Sequence, residues 1–281
     1  MKNGLLTAHC MLRNEEYFAW YAIKSVIDHV DQIIIFDTGS TDRTVQIVHE
    51  LIYQYPDKII FEQKGVCDKV RHTALRNEMI RRTTTKWFML LDGDEIWSDE
   101  SMKEISQIIS EPGQYVCGIA PLYLCVGDIY HYSIKGKNGF YGKNIHGSLR
   151  FYKNIPGVHF LGAYGEGDFL VDSSNEIFYT KSTTFMSKHR FWHASTLERS
   201  PDDHSVHLGR HKAVMTYSLK LLGMGFPIPK SVNIPKAFTL RKSPQVEKLT
   251  PWASWKNLFL LIQRKCRNYY LSVQKATNDL R

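Results

Sequence analysis

The chain has no uninterrupted apolar run approaching the roughly 18 residues that a membrane-crossing helix requires. It also lacks Gly-x-Gly-x-x-Gly and Walker A segments, which argues against a dinucleotide fingerprint or a P-loop. Its five cysteines, Cys10, Cys67, Cys117, Cys125 and Cys266, are odd in number and form no Cys-x-x-Cys pair, so a reducing compartment is favoured over a disulfide framework. Met1-Lys2-Asn3-Gly4 runs directly into an apolar strand without a leader pattern, and the expected location is cytoplasmic. Acidic residues are scarce in one place. Residues 230–281 hold 11 Lys/Arg and 2 Asp/Glu, whereas residues 1–229 are close to neutral. That division argues against a nucleic-acid-binding body and points to an anionic partner or membrane surface for the tail.

What is present is concentrated in Lys86-Trp87-Phe88-Met89-Leu90-Leu91-Asp92-Gly93-Asp94-Glu95, an apolar run that ends in two closely spaced carboxylates. Such a run reads as a buried parallel strand, and in open α/β sheets ligands bind at the carboxyl ends of strands. Two like charges this close need a cation or donors between them, and hard oxygens suit Mg²⁺ or Mn²⁺ carrying a diphosphate. An isolated Asp-x-Asp would be an ordinary acidic turn; its context weighs against that. Ile33-Ile34-Ile35-Phe36-Asp37 is a second apolar strand, followed by a Thr38-Gly39-Ser40-Thr41-Asp42 turn able to cap a helix. Strands near 4–10, 32–37, 58–63 and 86–92 alternate with helices near 15–29, 42–54 and 69–84, predicting a parallel sheet with right-handed crossovers.

Four segments in order carry a resemblance. They are Thr7-Ala8 with Arg13-Asn14-Glu15-Glu16, then Asp37 to Thr44, then Arg71 with Ala74-Leu75-Arg76-Asn77, and then Trp87 to Glu95. Together they resemble the nucleotide-sugar half of family 2 glycosyltransferases, strongly over 4–96 and weakly over 97–225. The resemblance implies a GT-A (Rossmann-like) α/β fold with a mostly parallel central sheet flanked by helices, a mixed-sheet acceptor half, and a C-terminal helical appendage. It implies that Thr7 and Asp37 line the base and ribose pocket, that Arg71 or Arg76 approaches the diphosphate, and that Arg13 belongs to the nucleotide-sugar site. Asp92 and Asp94 would hold the ribose and Mn²⁺ or Mg²⁺, Gly93 would contact the nucleotide-sugar, and His193 would supply a third metal ligand or touch the diphosphate. His193 enters through Arg190 to Ser200, which resembles a His-x-Ser-x-Leu-x-Arg-Ser segment of some members. Many members carry a second Asp where this chain has Thr38. A UDP-sugar donor is still favoured, with its base less firmly specified.

Past the acidic strand the pattern is harder to read. Tyr115–Val126, Ser148–Tyr152 and Ile177–Thr180 are expected to extend the sheet in mixed or antiparallel fashion. The Tyr164-Gly165-Glu166-Gly167-Asp168 loop carries two carboxylates, and an inverting transfer needs one to take the acceptor proton. The resemblance implies a base from a comparable acidic loop after the metal motif, which makes Asp168 and Glu166 the candidate bases. His204, His207 and His211 share helical spacing but have no Cys or acidic partner in register, so a surface stripe is favoured over zinc. Pro227, Pro229, Pro235, Pro244 and Pro251 mark an extended connector. Beyond it Trp252, Trp255, Phe259, Ile262 and Tyr269 share a helical face, with Lys256, Arg264, Arg267 and Lys275 largely opposite. That helix would dock on the domain, form a homodimer, or lie peripherally at a membrane.

The expected organisation is a GT-A domain over 1–225, divided into a nucleotide-sugar half (1–96) and an acceptor half (97–225), with connector and basic helix over 226–281. The expected activity is metal-dependent transfer of a sugar from a nucleotide-sugar donor to a hydroxyl of a glycan, lipid-linked or protein acceptor, with inversion. The alternatives are a nucleotidyltransferase, for which the first strand's loop supplies only Arg13 to hold a triphosphate, and a catalytically silent binding protein of the same fold.

Overall fold

A computed structural model describes residues 4–133, 138–140, 143–166, 169–204 and 225–241. Its first part follows the expected alternation: β1 (Leu6–Leu12), α1 (Ala19–Val26), β2 (Gln32–Asp37), α2 (Thr44–Gln54), β3 (Ile59–Gln63), α3 (Lys69–Arg82) and β4 (Trp87–Asp92). These strands pair in parallel in the order β4-β1-β2-β3. Ile33 to Phe36 are fully buried because helices cover both sheet faces, which is why this strand reads as unbroken apolar sequence. The register puts Leu12 beside Asp37 and Met11 beside Asp92, so the three strand ends form one edge.

The first helix starts later than its apolar pattern suggests. Asn14 adopts a left-handed φ of 54° and the Glu15 amide donates to Thr44 Oγ1 at 2.8 Å, so residues 14–18 make a turn pinned to the start of α2. That turn delivers Glu15 to the strand-end edge. Asp68 caps α3, accepting from the Arg71 amide at 2.8 Å.

The second part is β5 (Glu95–Ile96), α4 (Asp99–Ser110), β6 (Cys117–Val126), β7 (Asp128–Ser133), β8 (Asn138–Phe140), β9 (Lys143–Ile145), β10 (Gly147–Lys153), β11 (His159–Leu161), β12 (Phe169–Val171), β13 (Thr184–Met186), β14 (Phe191–His193) and β15 (Gly225–Pro227). Strand β10 inserts antiparallel between β4 and β6 and turns the parallel sheet into a mixed one. This is the α/β architecture with a mixed extension that was expected. Gly118 on β6 makes room for the ring of Phe185 on the neighbouring β13: a Cβ there would stand 2.2 Å from Phe185 Cζ. Trp97 stacks on Phe191 at 4.5 Å, and the buried Trp192 donates its ring N–H to Ile129 O at 3.0 Å.

Two expectations are corrected. Ile177–Thr180 is not a strand: Asn175 takes a left-handed φ of 62°, and Thr180 turns back through hydrogen bonds with Thr183 and Thr184. Residues 225–241 are not an extended connector either. Gly225–Pro227 pair with β7, Ala237 and Phe238 are buried in the short helix Ala237–Leu240, and the segment ties to α1 through Tyr21, whose hydroxyl donates to Arg241 O at 2.9 Å. The basic helix expected over 252–275 lies outside the described residues, as do His207, His211 and the side chain of His204. Among the described residues no helix is long and apolar enough to cross a membrane.

Candidate functional site

A cavity of about 570 Å³ opens at the carboxyl ends of β1 and β4. Its floor is the Asp92-Gly93-Asp94 turn. Arg13 and Glu15 come from the turn after β1, Thr38 from the end of β2, and Cys67, Asp68, Lys69 and His72 from the start of α3. Arg150, Tyr164, His193, Ser195 and Arg199 come from the second part. Gly93 has no room for a side chain: a Cβ would lie 2.7 Å from both Glu15 Cγ and Leu12 Cδ2. The glycine therefore lets Glu15 tuck beneath the acidic turn.

The carboxylates are held by arginines. Arg199 Nη1 donates to Asp94 Oδ2 at 2.7 Å and Glu15 Oε1 at 3.0 Å, with both acids almost fully buried. Arg150 donates through Nε to both oxygens of the fully buried Glu95, at 2.9 and 3.0 Å, and through Nη2 to Asp92 Oδ2 at 2.9 Å. Arg76 approaches Asp92 Oδ1 at 3.9 Å, and its guanidinium lies over the Phe160 and Tyr164 rings. Burial alone would raise the Asp92 pKa, but the Arg150 and Arg76 guanidinia outweigh it and hold the carboxyl below its usual range. Burial drives Glu95 upward, with Arg150 opposing and Asp92 reinforcing the rise. His193 Nε2 faces Asp94 Oδ1 at 3.6 Å, and burial lowers its pKa against the pull of Asp94. A neutral imidazole retains a lone pair for a metal. Among the described residues no group of three or more His, Cys, Asp or Glu is already arranged around a metal-sized space.

Sequence-expected site residues divide into three sets. Arg13, Asp92, Gly93, Asp94 and His193 meet in the cavity, and Arg76 stands behind Asp92. Thr7 does not belong there. It sits at the start of β1, about 16 Å of strand from Leu12, buried with its hydroxyl 2.7 Å from that of Thr85. Arg71 is not among the residues that line the cavity and donates to Lys64 O at 2.9 Å. Asp37 spends its carboxylate on the Gly39 and Ser40 amides at 3.0 to 3.3 Å, holding the turn next to the cavity. Glu166 pairs with the cavity residue Lys69 at 2.6 Å on an exposed rim, and Asp168 lies outside the described residues. Glu15, Arg150 and Arg199 were not foreseen as site residues. No local signal marks Arg150, because alternation within Leu149-Arg150-Phe151 is compatible with an arginine on a solvent face.

The sequence model described as "Glycosyl transferase family 2" matches residues 11–165, more than half of the chain. Among curated proteins the chain is similar to the SPbeta prophage-derived glycosyltransferase SunS of Bacillus subtilis (strain 168), 26% identical over 159 residues that span 54% of this chain and 36% of that one. A TPR repeat-containing protein of Synechococcus elongatus is 27% identical over 173 residues, 59% of this chain and 35% of the relative. The matched segments thus span about a third of these relatives' length. Among solved structures, S. aureus TarS 1–349 aligns with a TM-score of 0.47 and 14% identity over 78% of this chain and 65% of that one. The mannosyltransferase PcManGT from Pyrobaculum calidifontis, in complex with GDP-Man and Mn²⁺, aligns at 0.45 and 13% over 100% and 82%. On the match over residues 11–165, the chain belongs to glycosyl transferase family 2.

Proposed function

We propose that the cavity binds a nucleotide-sugar, a UDP-sugar in the first instance, with a divalent cation and transfers the sugar to an acceptor hydroxyl with inversion. One observation carries this reading: Asp92 and Asp94 reach the carboxyl edge of the sheet together with His193 and an arginine set, as a diphosphate–metal site requires. The residues fit a cation. Asp94 Oδ1 and His193 Nε2 face each other, and among the described residues Asp92 Oδ1 has only the 3.9 Å approach of Arg76, leaving oxygen and nitrogen ligands that diphosphate oxygens would complete. When bound, the cation supplies charge neutralisation to the leaving diphosphate.

This chain's own residues would do the rest. Arg13 lines the cavity, and its buried Nε has no hydrogen-bond partner among the described residues; a phosphate oxygen would satisfy it. The acceptor oxygen attacks the anomeric carbon from the face opposite the diphosphate, which departs with the electrons of the broken C–O bond. A carboxylate of the 164–168 loop, Glu166 or Asp168, takes the acceptor proton. Glu95 is unsuited to that task because Arg150 occupies both of its oxygens.

Calorimetric titration of UDP, GDP and dTDP with and without Mn²⁺, followed by turnover of the matching labelled sugars, tests the reading. The expected result is metal-dependent binding of one nucleoside diphosphate and release of that diphosphate as sugar is transferred. Release of pyrophosphate from a nucleoside triphosphate and a sugar phosphate would mark a nucleotidyltransferase, and binding without turnover a silent domain.

A further inference from the structure

We infer that Arg150 is a positioning residue, which sets the donor-site geometry by tying Asp92 to the buried Glu95; the inference rests on the donor-site reading above. Arg150 arrives on β10, the strand that joins the second part of the sheet to β4. Its side chain is 13% exposed, while that of Glu95 is 0% exposed. A fully buried carboxyl group is tolerated only when its polar atoms find partners, and Arg150 supplies donors to both of its oxygens.

The fork geometry of the guanidinium orients Asp92. With Nε and Nη2 engaged on Glu95, the guanidinium plane is set, and Nη2 also reaches Asp92 Oδ2 at 2.9 Å. One oxygen of Asp92 is thereby anchored, and Oδ1 is left as the atom available to a ligand. The backbone helps: the Asp92 amide lies 3.5 Å from Glu95 Oε2. Lysine could not reproduce this, because an ammonium has no planar fork with which to grip one acid and orient another. Arg150 thus acts through Asp92.

The test is a double-mutant cycle on the full chain, Arg150→Lys with Asp92→Asn. It is read as the Mn²⁺-dependent affinity for whichever of UDP, GDP and dTDP binds the parent most tightly, with melting temperatures alongside. Loss of a supporting group around a metal site costs on the order of 10–100-fold. Arg150→Lys should weaken metal-dependent binding on that scale, by clearly more than it weakens metal-free binding, and it should add almost nothing in the Asp92→Asn background. Additive losses, or equal losses with and without Mn²⁺, would show a purely structural ion pair and overturn the inference alone. If Arg150→Lys does not fold, Glu95→Asp, which retracts the anchor by one methylene, enters the same cycle with the same expectations. No binding by the parent, or unchanged binding by Asp92→Asn, defeats the donor-site reading and this inference with it.

Discussion

The two parts of the sheet contribute to the cavity in different ways. In the parallel part the acids arrive at strand ends or in the turns beside them: Glu15 follows β1, Asp92 ends β4, and Asp94 lies two residues on. In the mixed part single side chains reach across from separate elements, Arg150 from β10, His193 from β14 and Arg199 from the segment beyond it. The acids are thus supplied locally, and of their three arginine partners Arg76 comes from α3 whereas Arg150 and Arg199 come from the mixed part. Either half alone would be electrostatically untenable, since buried like charges need their counterions.

The dependence of one part on the other is greatest at Arg199. Removing it strands Glu15 and Asp94, buried to 5% and 2% side-chain exposure, without their shared cation. Arg199→Ala should lower stability by about 3–5 kcal/mol in urea denaturation; a loss under about 1 kcal/mol would mean that the two parts are not coupled through this pair.

Glu166 tests the opposite property, chemistry without stability. Its pair with Lys69 leaves both side chains more than half exposed, so Glu166→Gln should melt with the parent. If it is the base, transfer should fall by about 10²–10⁴-fold with donor binding retained. Full transfer by Glu166→Gln, with loss in Asp168→Asn, would assign the proton to the other acid.

Gly93 probes how tightly the parallel part holds its own acids. Gly93→Ala should force Glu15 and Leu12 aside, at a cost of about 1–3 kcal/mol, and weaken nucleotide binding. Parental stability and binding would show that Glu15 can leave the turn freely.

The smallest effect lies near the end of β3, among side chains that do not line the cavity. Arg82 and Lys64 hydrogen bonds hold the Glu62 carboxyl at about 2, below its ordinary value of 4.5. Because its folded pKa is depressed, its contribution is present above pH 4.5 and is lost as pH falls toward 2. Glu62→Gln should flatten acid destabilisation slightly in that window, and an unchanged acid limb would show the network to be inert.

The parallel part was legible because its information is local. Strand lengths, the Asp92-Gly93-Asp94 turn and the helix pattern follow from apolar runs, turn residues and periodicity within a few positions of each other. Strand direction also held the means to correct Thr7, which a parallel β1 places at the amino end, away from any ligand edge. Asp37 was legible as a strand-end acid, but its use within its own turn depends on the φ of 88° at Gly39, which brings amides back onto the carboxylate. The mixed part was less legible because its pairings are non-local. Nothing near Ser148–Tyr152 in sequence announces that β10 lies against β4, and without that register Arg150 has no visible partner. His193 came from a resemblance, whereas its approach to Asp94 depends on β14 pairing with β5.

Whether the Asp92–Asp94 edge is a metal-assisted diphosphate site is tested most directly by calorimetry. The preferred nucleoside diphosphate is titrated into parent and Asp94→Ala, each with and without Mn²⁺, after confirming that both are folded. Mn²⁺ should strengthen binding to the parent, and the enhancement should disappear in Asp94→Ala while residual metal-free binding persists. Equal Mn²⁺ enhancement in the two proteins would remove Asp94 from the site and contradict its assignment as a metal-assisted diphosphate site.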